Sequence, residues 1–528
     1  MTSFADNYAV DPESLVRTLR DFLAGSRDAL VSEDGAVLFD LRDARYSISS
    51  EHGKCLLHLW SAERNLVRRV IDAELKTNVL KLSVQRLGQA RHAKLQIFRE
   101  HDRRPPSARK AARAAYEQRF RRMLEKKFPD LSLASLSTAM NLERSFSPIY
   151  ARGLLRRGQS GFAVLGVNGQ ETQASIDASL TFGILWLEHS RQSAANFHVE
   201  GLKLFVPPGA SAVVAERIAH LNREAARWQL YELDEQDELV QEIDWTDRGN
   251  LATRLVHCLD ERSTHERFAE PIQRVRALFP ETEVAVISPA ELAFRCRGLE
   301  FARAYLNHHS HSFRARPEVV FGVGAEEIVL DDTNGEHFAE CLREVEKIRR
   351  ADGSRGHALY RVQSERWLES LVTRNLHAID ERLEPSLLYS QVPAFSSSDR
   401  AMIDVLGVTL TGRLAVVELK ADEDIHLPLQ GLDYWSRVNW HHTRGEFTTF
   451  GYFPGRELST DTALLFLVAP ALHVHPATDT LLRYLSPEIE WTLVGIDERW
   501  RNGIRMVFRK RPHVEGARLP DEIMSQVG

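Results

Sequence analysis

The stretch "IDVLGVTLTGRLAVVELK", Ile403 to Lys420, constrains the chain more than any other. Two apolar runs flank a Thr-Gly pair, so they read as neighbouring antiparallel strands of a hairpin. Both are apolar on both faces, which puts the hairpin inside a sheet covered on two sides. Yet it carries Asp404, Glu418 and Lys420. Side chains alternate along a strand, so Glu418 and Lys420 share a face with Val416, while Ala415, Val417 and Leu419 take the other. Burying such charges is costly unless something compensates them. A divalent cation would compensate the carboxylates.

Whether Asp404 joins the pair depends on the turn. A two-residue turn at Thr411–Gly412 sets Asp404 opposite Leu419, on the wrong face. A three-residue loop from Thr411 to Arg413 sets it opposite Lys420, and a bulge would serve as well. The sequence therefore predicts an odd-length loop or a bulge.

Around this hairpin the order reads αβββαβαββ, a mixed sheet flanked by helices. "YRVQSERWLESLVTRNLHAI" is an amphipathic helix, and "SLLYSQVPAF" is the strand before the hairpin. "LPLQGLDYWSRVNWHH" is a helix that opens on proline. "TALLFLVAPAL", "EWTLVGI" and "GIRMVFRK" are further strands, with the helix "PATDTLLRYL" after the first of them.

Two carboxylates and an amine on one hairpin suit phosphodiester hydrolysis. Hard carboxylate oxygens hold Mg²⁺, or Mn²⁺, and the metal stabilises charge on phosphorus and activates water. Lys420 would orient that water or the phosphate. Asp404, Glu418-Leu419-Lys420 and the preceding helix together resemble the PD-(D/E)xK nuclease superfamily, with Ile403 in place of the signature proline. "QGLDY", with Gln430 and Tyr434 four apart on one helical face, resembles the QxxxY motif of the RecB-like branch. The helix "SERWLESLVTRNL" resembles the leading helix of mismatch-type endonucleases. The resemblance covers about residues 356–510. It implies a restriction-endonuclease-like αβββαβ core, with Asp404, Glu418, Lys420, Gln430 and Tyr434 at a catalytic centre. It also implies a metal held by Asp404, Glu418 and a helix glutamate. Glu365 is favoured for the last role by its "SExxL" setting, and Glu369, on the same face, stays an alternative.

The chain of 528 residues is too long for one core. It reads as an α/β (α+β) multidomain protein. Residues 1–130 form a β-rich module plus a basic helix, 131–355 a mixed α/β domain of unassigned role, and 356–528 the nuclease-like domain. The N-terminal strands are read at "GAVLFDL", "CLLHLW", "VLKLSVQRL" and "AKLQIF", after a helix at "DPESLVRTLRDFLAGSRDAL". In the middle region "GFAVLGV", "LTFGILWLEH", "GLKLFVPP", "WQLYEL" and "EVAVIS" read as strands. "SIDASLTFGILWLEHS" raises the idea of a degenerate second copy, with Asp177 and Glu188 but Ser190 at the lysine position. It is not adopted, because no repeat is convincing.

Charge is uneven. Residues 91–127 hold 13 Lys/Arg against 4 Asp/Glu, a local net of +9, which leaves −15 for the rest of a chain whose total is −6. Ser107 is expected to cap a helix here whose Tyr116, Phe120, Met123 and Leu124 face a core. Arg109, Lys110, Arg113, Arg121 and Arg122 on its other faces, with Arg156 and Arg157 in "YARGLLRRG", are the candidate phosphate contacts. Such contacts give affinity rather than sequence readout.

Other signals point away from competing classes. "GVNGQETQ" lacks the Gly-Lys-Ser/Thr ending of a phosphate-binding loop. His308, His309 and His311 lack supporting ligands and read as a polar loop, as do His473 and His475. The four cysteines include no C-x-x-C pair. No apolar run is long enough to span a membrane, and the first residues lack a signal-peptide pattern, so a cytoplasmic location is expected. The expected function is a metal-dependent DNA endonuclease of repair or of defence against foreign DNA. A homodimer and a helicase or ATPase partner are compatible with it. The alternative is a noncatalytic nucleic-acid-binding or assembly module on the same fold.

Overall fold

The computed structural model describes residues 12–24, 29–33, 36–41, 44–51, 54–60, 65–76, 79–86, 92–98, 106–141, 146–194, 196–246, 253–307, 316–322, 328–393, 395–396 and 402–512. The protein is mixed α/β and is built around several sheets. Among the described residues no helix is long and apolar enough to cross a membrane.

At the N-terminus the helix Pro12–Ala24 lays Leu15, Leu19, Phe22 and Leu23 on a seven-stranded antiparallel sheet. The expected strands are there. So are Arg45–Glu51 and Asn65–Lys76, whose many polar positions concealed them. Further along, the helix Ala269–Leu278, a five-stranded antiparallel meander (residues 283–329) and the helix Gly335–Ile348 share another core. This meander docks on the helix that follows. Gly298, at φ +74°, would place a Cβ 2.3 Å from the carbonyl oxygen of Arg366, so only glycine fits there.

Two larger units carry the rest. The first opens with α1 (Pro106–Lys127), which starts one residue before the expected cap. β1 (Ser132–Ser137), β2 (Tyr150–Arg157) and β3 (Ser160–Val167) run antiparallel. α2 (Ser179–Ser193) crosses to β4 (His198–Val206), which lies parallel to β3. α3 (Ala212–Ile218), the parallel strand β5 (Arg227–Asp234) and the antiparallel edge strand β6 (Leu239–Ile243) complete it. Tyr116, Phe120, Met123 and Leu124 of α1 pack on this sheet, as their spacing implied, against Leu155, Val164, Phe205 and Tyr231.

The segment "LTFGILWLEH" is the helix α2, not a strand, which corrects the sequence reading. Its residues are apolar on several sides because it is wedged between β3 and β4 on one side and another helix on the other. A buried helix of this kind loses the 3.6-residue stripe and mimics a core strand.

The last unit contains α4 (Ser364–Arg374), β7 (Leu383–Pro393), β8 (Met402–Thr409), β9 (Leu414–Leu419), α5 (Leu427–Thr443), β10 (Leu464–Pro470), α6 (Thr478–Arg483), β11 (Trp491–Ile496) and β12 (Met506–Lys510). Its six strands lie in chain order, with β9, β10 and β11 parallel and the other neighbours antiparallel. α4 packs on one face through Trp367, Leu368 and Val372. α5 and α6 cover the other face, and there they meet α2 and α3 in one continuous core. The layers therefore run α1, sheet, α2 and α3, then α5 and α6, sheet, α4.

Candidate active site

The hairpin turns through Leu410, Thr411 and Gly412. The Thr409 N–H donates to the Arg413 carbonyl at 2.8 Å, and Gly412 stands at φ +87°. The loop is odd-length, but it is centred one residue earlier than the sequence reading placed it. Arg413 is drawn back into the strand by bonds to the Thr462 carbonyl (2.6 Å) and Glu490 (2.6 Å). The left-handed place falls to Gly412, whose missing Cβ would lie 2.2 Å from the Glu457 carbonyl oxygen. Val405 consequently pairs with Val417, and Asp404, one residue beyond that pair, accepts the Leu419 N–H through its side chain instead of lying opposite Lys420. All three side chains still share the face that α5 covers.

α5 can lie close because it carries Gly431, where a Cβ would sit 2.5 Å from the Leu467 side chain and 3.8 Å from the Glu418 Cβ. Pro428 sits in its first turn. Glu418 is 1 % exposed. Its Oε1 accepts from the Lys420 Nζ at 3.1 Å, and its Oε2 is buried with no hydrogen-bond partner among the described residues. Lys420 Nζ also lies 3.8 Å from Glu365 Oε1. Asp404 Oδ2 accepts the Leu419 N–H at 2.9 Å, and its Oδ1 accepts from Gln391 Nε2 at 3.3 Å. Gln430 and Tyr434 lie one turn apart on α5, and burial, with the charges of Glu418 and Asp404, pushes the Tyr434 hydroxyl up. The structure thus gathers Asp404, Glu418, Lys420, Glu365, Gln430 and Tyr434.

Both candidate glutamates of α4 reach the cluster, in different ways. The Glu365 side chain is 51 % exposed and faces Lys420, with Asp422 and Asp424 in its field. Glu369 is buried, bonded by Arg366 (3.2 Å) and by Gln391 (2.5 Å). Gln391, which sequence reasoning missed, therefore links Glu369 to Asp404. It does so from a left-handed backbone (φ 55°) in mid-strand, a costly conformation of the kind that gathers at functional sites. The only sequence signal was the polar pair Ser390–Gln391 between Tyr389 and Val392.

The electrostatics follow from burial. Desolvation pushes Glu418 well above the usual carboxyl range; Asp404 adds to this and Lys420 opposes it. Burial raises Asp404 as well, against Lys420, the Leu419 N–H and Gln391. Burial raises Glu369 to about 7, opposed by Arg366 and aided by Asp404. Burial pulls Lys420 down, but Glu418, Glu365 and Asp404 together hold its ammonium above the ordinary lysine range. The cluster has more acid than its one amine neutralises.

Among the described residues no three His, Cys, Asp or Glu side chains stand preassembled around one point. The donor chemistry nevertheless fits a hard divalent cation. Asp404 and Glu418 offer two carboxylates in each other's field, and the Glu418 Oε2 has no partner among the described residues. His473 and His475 flank the loop after Lys420, at 3.1 Å from the Ala421 carbonyl and 3.9 Å from Glu423. His308, His309 and His311 lie outside the described residues.

The basic helix is not brought to this cluster. α1 lies on the face of its sheet turned away from the last unit. Arg119 is held by Glu235 at 2.7 Å, and Arg122, 58 % exposed, is 3.7 Å from Glu238. Arg113 and Arg121 are half-buried, Arg157 is exposed, and Arg156 stacks on Phe197 at 4.8 Å. The side chains of Arg109 and Lys110 lie outside the described set.

No family model matches this chain, and no curated protein or solved structure is significantly similar to it.

Proposed function

We propose that the chain is a metal-dependent nuclease that hydrolyses DNA phosphodiester bonds, with residues 364–510 as a PD-(D/E)xK-like catalytic unit. The observation that carries the reading is Glu418: a fully buried carboxylate with one oxygen unpartnered among the described residues, in the field of Asp404 and touching Lys420. An acid so placed costs several kcal/mol, and Lys420, shared by Glu418, Asp404 and Glu365, leaves acid charge for a cation to offset.

A bound Mg²⁺ or Mn²⁺ would polarise the phosphate and activate water there. Asp404 and Glu418 would hold it, with Glu365 as the exposed third acid beside the entrance. Lys420 keeps its proton and orients the scissile phosphate or the attacking water. Gln391 and the Leu419 N–H fix the Asp404 carboxylate, so its oxygens need no reorganisation. Gln430 and Tyr434 line the α5 side of the same space. Among the charged residues around Lys420, acids outnumber bases, which keeps an anionic backbone out until a cation is present.

The test is cleavage of end-labelled single-stranded, duplex and branched DNA with Mg²⁺ or Mn²⁺ against EDTA, beside Glu418→Ala and Lys420→Ala. Metal-dependent cutting lost in both variants is the expected result. DNA binding without cutting, unchanged in both variants, would replace this reading with a noncatalytic binding module.

A further inference from the structure

Residues 106–243 and 364–510 share their principal elements in the same order, the shortest helical turns and the two-residue strand Phe395–Ser396 aside. Each has an outer helix, three antiparallel strands, a crossover helix, a parallel strand, a short helix, another parallel strand and an antiparallel edge strand. Strand directions agree at every step across both sheets.

The ladders also say which residues correspond. Leu165 lies beside Leu204, and Leu204 beside Leu230; Glu418 lies beside Leu467, and Leu467 beside Leu493. The crossover helices repeat the match. A Cβ on Gly183 would be 2.7 Å from Leu202, and one on Gly431 would be 3.2 Å from Leu465 and 2.5 Å from Leu467. Across its hairpin Leu165 pairs with Arg152, and one step beyond the Val405–Val417 pair of the other hairpin come Asp404 and Glu418. Arg152, Leu165 and Val167 thus hold the places of Asp404, Glu418 and Lys420. Counting from the two glycines, Phe182 and Trp186 hold those of Gln430 and Tyr434. Phe182 stacks on Tyr150 at 4.9 Å and Trp186 donates to the Gly153 carbonyl at 2.8 Å, so apolar packing fills that space.

The contacts between the units are reciprocal. α3 packs on α5, and α6 on α2. Arg217 of α3 pairs with Asp433 of α5 at 2.8 Å; Arg483 of α6 pairs with Glu188 of α2 at 3.3 Å. Leu221 bridges Leu485. The Asn222 N–H donates to the Tyr484 carbonyl, and the Ser486 N–H to the His220 carbonyl, both at 2.9 Å. Exchanging the units maps this bridge onto itself, the signature of a two-fold contact.

We infer that residues 106–243 are a second copy of the 364–510 unit that lacks the hairpin acids Asp404 and Glu418, and that one chain is its own dimer with a single chemical centre, which cuts one DNA strand per encounter. The strand outcome rests on the nuclease reading above; the pairing does not. Two like units about a two-fold axis would offer two centres, one for each strand of a duplex. Here one of them has Arg152 and Leu165 where the other has Asp404 and Glu418.

Two measurements on the full chain decide it. Sedimentation equilibrium at micromolar concentration is expected to give the mass of a single chain, and a two-chain mass would overturn the inference. Supercoiled plasmid with Mg²⁺ is expected to accumulate open circles, with linear DNA following only after a lag. Linear DNA from the outset, with no open circles, would overturn it. Glu418→Ala is expected to slow cutting of both strands by about 100-fold or more; continued cutting of either strand would reveal a second centre and do the same. If neither Mg²⁺ nor Mn²⁺ changes the plasmid, the nuclease reading falls, and the mass still judges the pairing.

Discussion

The two units differ most where they correspond most closely. One sheet buries Glu418 and Lys420 on the row where the other buries Leu165 and Val167. Asp404 on one hairpin answers to Arg152 on the other, whose guanidinium bonds the Ser147 and Ala139 carbonyls. Both sheets keep the same order, directions and crossover glycine. The comparison teaches that the fold does not need the charges. An apolar pair satisfies this row at no desolvation cost, so the acid cluster is kept for what it does.

The largest expected effect comes from moving one row into the other. Glu418→Leu with Lys420→Val is expected to abolish cutting and to raise unfolding free energy by about 1–4 kcal/mol, as replaced buried ion pairs do. Urea unfolding beside a cleavage assay would show it. A loss of stability would mean that the ion pair supports the fold, and would break the comparison.

The reciprocal bridges come next, because they are alike in pairing and unlike in burial. Arg217 and Asp433 are 12 % and 11 % exposed, whereas Arg483 is 63 % exposed. Arg217→Ala is expected to cost about 3–5 kcal/mol by stranding Asp433 and Glu216. Arg483→Ala is expected to cost about 1 kcal/mol or less. Equal losses would show that the interface is more symmetric in energy than in exposure.

Glu216 gives the same interface a pH dependence. Burial raises its pKa to about 7, with Asp433 adding and Arg437, Ser436 and Arg217 opposing. A carboxyl raised on folding binds its proton more tightly in the native state. The native state is therefore favoured below the unfolded value and loses that advantage as pH rises through about 7. Stability attributable to Glu216 is expected to fall by on the order of 1–3 kcal/mol between pH 5 and pH 8. Glu216→Gln should flatten that part of the profile in thermal melts, and an unchanged slope would assign it to other groups.

The smallest effect is also the most direct test of correspondence. Gly183→Ala and Gly431→Ala each push a Cβ against a leucine end while gaining helix propensity. Each is expected to cost about 1 kcal/mol net, and the two values should agree. A large cost at one position alone would mean that the crossover helices are seated differently.

Much of the acid-bearing unit was legible in the sequence, because its signals are local. Strand alternation placed Glu418 and Lys420 on one face, Pro428 marked the start of α5, and the element order of residues 364–510 followed from successive apolar runs. Loop parity was also legible, but its centre was not: the Arg413 bonds to Thr462 and Glu490 lie far away in sequence and set the register. Gln391 escaped notice because its role rests on a backbone conformation. The second copy was hidden for two reasons. Its row reads as ordinary core, and α2, buried on several sides, reads as a strand. Asp177 and Glu188 of "SIDASLTFGILWLEHS" lie on or beside the helix, whereas the corresponding row lies at Arg152, Leu165 and Val167.

The bridge between Leu221 and Leu485 joins two stretches of one chain rather than two molecules. A tether fixes the effective concentration of one half around the other, independent of how many copies a cell contains. Dilution that would dissolve a two-chain assembly leaves this pairing intact. The pairing therefore does not depend on abundance, and each half is free to change sequence without having to remain complementary to itself.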